Sequence, residues 1–167
     1  MDKSLRPPED PDRCVRVVKE RDDGIIVRGA RFNTFGLFSN EIMICPTYGF
    51  KPEEKEYAMW FTVPCDAPGL SQIARESYGG RDPIDHPASA VYDEVDSLIV
   101  FDDVFIPWER VFLYREPLKA NQLFRSGVMT WASFAGGSLS VLRMEILCAI
   151  AEMLATTSGI IKRPEVV

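Results

Sequence analysis

Few side chains of this 167-residue chain could do acid–base or metal chemistry, and their spacing narrows the choice further. The single histidine, His86, lies in Arg81-Asp82-Pro83-Ile84-Asp85-His86-Pro87. An aspartate beside a histidine can orient an imidazole for general-base work. Here Pro87 follows directly and no nucleophile is near, so the run reads better as a loop anchored by its histidine. Asp93-Glu94 with Asp96, and the pair Asp102-Asp103, could suggest a metal. Oxygen-ligand sites need about six donors in a defined loop, and neither cluster has EF-hand spacing. Turn and solvated-edge roles are expected there, and no metal. Cys14, Cys45, Cys65 and Cys148 contain no C-x-x-C pair, which suits four reduced, mostly buried thiols in a cytoplasmic protein. Trp60, Trp108 and Trp131 are single aromatics inside apolar stretches, the pattern of core residues rather than of cofactor stackers. Gly-rich phosphate loops, G-x-S-x-G elbows and H-E-x-x-H pairs are all missing. These residue types alone assemble no complete catalytic constellation.

The elements that would position such groups are mostly strands. Residues 1–12 are polar and carry Pro7, Pro8 and Pro11, as an extended N-terminal arm would. Cys14 to Glu20 alternates as a strand, Arg21-Asp22-Asp23-Gly24 reads as a hairpin turn of the Asp-Gly type, and Ile25 to Thr34 is its partner. Gly29 inside that strand marks a bulge or a close backbone approach. Glu41–Cys45, Tyr57–Val63 and Leu70–Arg75 are further strands, with a charged surface loop over 51–56 and a turn at Pro64–Gly69. Residues 76–90 are rich in Gly, Asp and Pro and read as one long loop. From Leu98 to Tyr114 the chain predicts an antiparallel ribbon: a strand to Phe101, a two-Asp bend, a strand stopped by Pro107, and a last strand from Arg110. Six to eight short strands with turn signals between them predict an antiparallel sandwich or barrel.

After Pro117 the period changes. Leu139, Leu142, Ile146, Ile150, Met153 and Leu154 recur at helical spacing, and Cys148, Ala149 and Ala151 between them are small or apolar. So apolar a helix expects neighbours on several sides, like one stave of an incomplete bundle. The predicted organisation is therefore mainly β, with an arm at 1–12, an antiparallel β-barrel domain at 13–116, and the start of a helical-bundle domain at 117–167. A chain of this size buries roughly 70% of its unfolded surface, so a core needs neither disulfide nor metal. With 46% hydrophobic and 26% charged residues and a net charge of −6, the balance is that of a soluble globular protein. It lacks the basic footprint that nucleic acid or an anionic membrane would require. Met1-Asp2-Lys3-Ser4 has no apolar h-region, and no window reaches the ~18 uninterrupted apolar residues of a membrane span.

Several stretches taken together resemble one family. Val17 to Arg31, with its Glu20-Arg21-Asp22-Asp23-Gly24 turn, is similar to the first hairpin of the central domain of the 4-hydroxyphenylacetate 3-hydroxylase oxygenase family. Val63-Pro64-Cys65-Asp66-Ala67-Pro68-Gly69-Leu70, Arg75-Glu76-Ser77-Tyr78, Asp85-His86-Pro87, Tyr92-Asp93-Glu94-Val95-Asp96 and Phe101 through Arg110 resemble it too, in order. The resemblance implies an acyl-CoA dehydrogenase-like architecture, with a central barrel between helical domains and tetramers formed by the C-terminal bundle. It implies ortho-hydroxylation of a phenol through a flavin C4a-hydroperoxide, in aromatic hydrocarbon catabolism. FAD would arrive as FADH2 from a separate NAD(P)H–flavin reductase. The pocket must exclude water, and fixed donors must assist attack on the phenol.

In that family an Arg, a Tyr and a His upstream of the barrel position phenol and peroxide. Met1 falls a few residues after the point where the His would stand, so no residue here is expected to take those catalytic roles. Asp2, Lys3 and Ser4 resemble the tail of an FAD-contacting run, with Lys3 where the family has Arg. Thr34 falls where the family places a hydroxyl near the isoalloxazine, and Pro46-Thr47 near a loop offering backbone donors to the substrate's acid group. For both threonines an ordinary strand-end hydroxyl bonded to local backbone is the alternative. A dehydratase branch acting on 4-hydroxybutyryl-CoA would need a His seven residues before a Cys on the first bundle helix; Val141 stands there before Cys148. A third expectation is a non-catalytic or split-enzyme fragment that associates with other chains.

Overall fold

The computed structural model describes residues 10–34, 36–45, 49–93 and 95–160. Among these, seven strands form two antiparallel sheets. β1 (Arg16–Arg21), β2 (Gly24–Thr34), β6 (Asp96–Pro107) and β5 (Leu70–Ala74) lie side by side in that order. β3 (Glu41–Ile44), β4 (Met59–Pro64) and β7 (Val111–Tyr114) make the second sheet. A helical turn, α1 (Ser89–Tyr92), interrupts the loop before β6, and α2 (Pro117–Leu123) follows β7. The expected β class, followed by one long helix, is what the chain adopts.

One core joins the two sheets. Val17, Ile25, Val27, Ile99, Phe101, Val104 and Ile106 face Ile42, Ile44, Met59, Phe61 and Val63, all buried. Phe61 and Phe101 meet across the layers edge to face, with centroids 6.0 Å apart and planes at 84°, the geometry that ring quadrupoles favour. At the hairpin end the Trp108 indole N–H donates to the Asp22 carbonyl at 3.1 Å, and the Tyr114 hydroxyl donates to the Glu20 carboxylate at 2.6 Å. Burial, then the Glu20 bond, pushes the Tyr114 phenol up to about 12. α2 packs on the same unit: the Asn121 amide accepts from the Phe50 N–H at 2.7 Å and donates to its carbonyl at 2.9 Å. The first compact unit accordingly runs through Phe124 and the second begins at Arg125.

Five local expectations need correction, four of them here. The Leu98–Tyr114 ribbon does not exist as such. β6 is one continuous strand paired with β2 and β5, and β7 pairs with β4 in the other sheet. Asp102-Asp103 is a bulge in that strand: Arg28 alone lies between the pairs Val27↔Val104 and Gly29↔Phe101. The extra residue lets both Phe101 and Val104 turn inward, while the exposed Asp103 carboxylate takes two bonds from Arg28, at 2.9 and 2.5 Å. Gly24 is a strand residue and Asp22-Asp23 form the turn; a Cβ at Gly24 would stand 2.2 Å from the Ile106 carbonyl oxygen. The 51–56 segment is not wholly a surface loop, because Glu54 is buried and its carboxylate accepts from the Lys51 N–H at 2.7 Å. Of the four cysteines only Cys14 is buried, and Cys148 is exposed.

Gly29 is both bulge and close approach. Its φ is +126°, and an added Cβ would meet the Cys14 carbonyl oxygen at 2.2 Å. The second unit is dominated by α3 (Met129–Ser158), entered through a π-helical turn at Phe124–Val128. It ends on Gly159 in the left-handed region, whose N–H returns to the Thr156 carbonyl at 3.2 Å. Leu139, Leu142, Ile146, Ile150, Met153 and Leu154 are exposed along it, and so is Trp131, which was expected in a core.

Truncating the inter-sheet pair by Phe61→Ala should cost about 3–5 kcal/mol in urea unfolding followed by far-ultraviolet circular dichroism. Gly29→Ala should cost about 1–3 kcal/mol by the same measurement, through backbone strain rather than lost burial. A Gly29→Ala chain as stable as the parent would contradict the close approach.

Candidate functional site

Three strand ends meet at one end of the four-stranded sheet. β2 finishes at Thr34, paired with Asp96 where β6 begins. β5 finishes at Ala74, opposite Ser97, and the next residue, Arg75, donates its backbone N–H to the Asp96 carbonyl at 3.1 Å. From the inner side of β2, the Arg31 guanidinium donates to the carbonyl of Cys45, the residue after β3. That bond links the two sheets beside the Thr34 strand end.

The Arg75 side chain organises the outer loop at this end. Its Nη2 lies 2.6 Å from Asp93 Oδ1, and its Nε lies 3.5 Å from Asp96 Oδ2. Asp93 also accepts from the Ser77 hydroxyl at 3.0 Å and the Tyr78 N–H at 2.8 Å. The Arg75 bond, then the Tyr78 N–H, hold the Asp93 carboxyl down at about 2. The Tyr78 ring lies against the Arg75 and Arg81 guanidiniums, 5.4 and 4.9 Å from its centroid, and against the His86 imidazole at 5.5 Å. The His86 backbone donates to the Asp82 carbonyl and accepts from the Ala90 N–H. The histidine is thus bound into the loop by its backbone and its ring contact. The described residues contain no cluster of three or more His, Cys, Asp or Glu that could hold a metal ion.

The outer face of the same sheet is unusual for one turned to solvent. Phe32, Leu98 and Ile73 are direct cross-strand neighbours on β2, β6 and β5, and they are 66%, 39% and 61% exposed. The next row inward, Ala30, Val100 and Ser71, is small or short. An antiparallel sheet with one solvated face normally carries polar residues there.

Of the residues singled out from sequence, Thr34 is placed only by its strand position, at the end of β2. Asp2, Lys3, Ser4, Pro46 and Thr47 lie outside the described residues. Sequence reasoning missed Arg31, the Arg75–Asp93 pair and the Phe32 row. The stretches Arg75–Tyr78 and Tyr92–Asp96 stood out separately, but nothing in their wording joins groups eighteen positions apart.

The first unit is thus a two-layer antiparallel domain whose four-stranded sheet carries an exposed apolar row near one end. The chain belongs to the 4-hydroxyphenylacetate 3-hydroxylase family, whose N-terminal region matches residues 1–113. It is 35% identical over 159 residues to the oxygenase component of 4-hydroxyphenylacetate 3-monooxygenase of Thermus thermophilus, covering 92% of this chain and 33% of that protein. The oxygenase component of 4-nitrophenol 2-monooxygenase from a Rhodococcus species is 35% identical as well, over 83% of this chain and 28% of its own length. The crystal structure of a 4-hydroxyphenylacetate 3-monooxygenase oxygenase component complexed with FAD and 4-hydroxyphenylacetate superposes with a TM-score of 0.81 at 34% identity. That match covers 98% of this chain and 35% of the other. The chain therefore spans about a third of the length of the curated relatives it matches. Among the described residues, no helix is long and apolar enough to cross a membrane.

Asp93 supplies a pH test of the loop. Its carboxyl is held at about 2 against an ordinary 3.8, so its contribution is complete above the ordinary value and is lost as pH falls towards 2. Protection factors of amides in residues 76–90, taken against the intrinsic rate at each pH, should hold down to about pH 5 and fall between about pH 4 and 2. Asp93→Asn should lower them at pH 7 already, and equal protection in that variant at pH 7 would remove the latch from the account.

Proposed function

We propose that this chain is the flavin-cradling part of a reduced-flavin-dependent phenol monooxygenase, acting in the cytoplasm on a small phenolic substrate. One observation carries the reading: nearly the whole chain superposes, at 34% identity, on an oxygenase component that was crystallised with FAD and a phenol. FAD, delivered reduced by a separate NAD(P)H–flavin reductase, would supply the activation of oxygen for ortho-hydroxylation. The chain's own residues bind and position. Asp2, Lys3, Ser4 and Thr34 are assigned to the flavin, and Pro46 and Thr47 to the substrate. Arg31 holds the Cys45 carbonyl immediately before Pro46, so it sets where the chain enters that loop.

No residue of this chain is assigned the Arg, Tyr and His work of positioning phenol and oxygen. The exposed apolar surface of α3 supports association with further copies, since a surface of that kind in water favours burial. In the full-length assembly a tetramer is the form we propose. A dehydratase reading has less support, because Val141 stands where its ligand set needs histidine.

The test supplies the purified chain with FADH2, oxygen and 4-hydroxyphenylacetate and measures catechol by chromatography. We expect flavin binding with no catechol above the level from free FADH2. Sustained catechol formation by this polypeptide alone would overturn the assignment of catalysis to other residues. Sedimentation should show an assembly heavier than 18.9 kDa, and a monodisperse monomer would count against self-association.

A further inference from the structure

Arg31 stands on the core side of β2, where the register sets it opposite Ile99, and Ile25 and Val27 precede it on that face. Those three neighbours are completely buried, and elsewhere the inward faces of the two sheets meet through apolar side chains. A half-buried guanidinium at this position costs desolvation that an apolar side chain would not. What it gains is a bond across the layers, for its Nη1 donates to the carbonyl of Cys45, the residue after β3. That carbonyl has a particular place in the chain. The ladder of β3 with β4 ends at Ile44↔Phe61. Residue 46 is a proline, which lacks the N–H that a further rung would use. Arg31 thus ties down the backbone at the point where the ladder stops.

We propose that Arg31 is a positioning residue for the substrate: through the Cys45 carbonyl it fixes the start of the segment that holds Pro46 and Thr47, and with it the affinity for the acid group of the phenol. The inference rests on the reading above that gives Pro46 and Thr47 to the substrate, and it adds the residue that acts on them from the core side. Arg31 works through the carbonyl rather than by touching the substrate. Backbone donors hold a carboxylate well only when they are ordered beforehand, because ordering them on binding subtracts from the affinity. A bond from a charged donor is the stronger kind of hydrogen bond, as an anchor of this sort requires. Lysine at this position keeps a charged donor, whereas methionine fills similar space with none.

The experiment titrates the full 167-residue chain with 4-hydroxyphenylacetate by calorimetry, with FAD present throughout and below the thermal midpoint of every variant. We expect the parent to bind. Arg31→Met should weaken binding roughly ten-fold, the loss of one hydrogen bond from a charged donor, and Arg31→Lys should recover most of it. Affinity for FAD alone should be the parent's in both variants. Thermal midpoints near the parent's would show both to be folded, as expected where an apolar side chain replaces a half-buried charge. If the parent binds and Arg31→Met binds as tightly, the positioning role is wrong and the substrate reading stands. A matching loss of FAD affinity in Arg31→Met would make the arginine a merely structural residue and overturn the proposal. A parent chain that takes up no 4-hydroxyphenylacetate would sink both.

Discussion

The pairing of β2 with β6 is the constraint from which the rest of the first unit follows. It runs from Gly24↔Pro107 at one end to Thr34↔Asp96 at the other, and β6 is bonded to β5 along its opposite edge. A twelve-residue strand inside a sheet cannot keep strict alternation here, because Phe101 and Val104 both belong to the core. The bulge at Asp102-Asp103 resolves the conflict, and it requires help from both neighbours. On the β2 side Gly29 takes a positive φ against the Cys14 carbonyl. On the β5 side Gly69, with φ at +84°, lets the Asp102 N–H reach its carbonyl at 3.0 Å, where a Cβ would strike the Asp102 oxygen at 2.4 Å. Arg28 then neutralises the carboxylate that the bulge pushes outward. Thr34, Asp96 and Arg75 hold their relative places only because this bulged ladder sets the register beneath them.

What could be read from the chain depended on whether the determinant was local. The first hairpin was legible because its turn and both strands are contiguous, and Gly29 carried its own signal. Asp102-Asp103 misled, since two aspartates between apolar runs look like a turn. What makes them a bulge is Arg28, seventy-five positions away, together with Gly69. The Phe32 row was hidden for another reason. The inward set of β2 is Ile25, Val27, Gly29, Arg31 and Asn33, and the outward set is Ile26, Arg28, Ala30 and Phe32. The two are equally mixed, so alternation alone cannot say which face is the core. Side-chain preference at these two positions alone would place Phe32 inside and Arg31 outside, but alternation ties Phe32 to Arg28 and Arg31 to Ile25 and Val27, and the latter two settle which face is the core. The family was legible because it rests on many short stretches in order, whereas most of the residues it implicates fall outside the described segments.

The two large titration shifts in the first unit both move away from neutrality. A general acid or base serves best when its pKa lies near the working pH. Asp93, at about 2, is a permanent anion, and Tyr114, at about 12, is a permanent neutral donor. Each is held there by a structural partner: Asp93 by Arg75 and the Tyr78 N–H, Tyr114 by burial and the Glu20 carboxylate. Neither can exchange a proton near neutrality, and both are tied to elements they keep in place, the outer loop and the seam between the sheets. Groups locked in one protonation state give shape and field without taking part in turnover. In the first unit these two groups therefore act through position and charge, Asp93 on the outer loop and Tyr114 on the seam between the sheets.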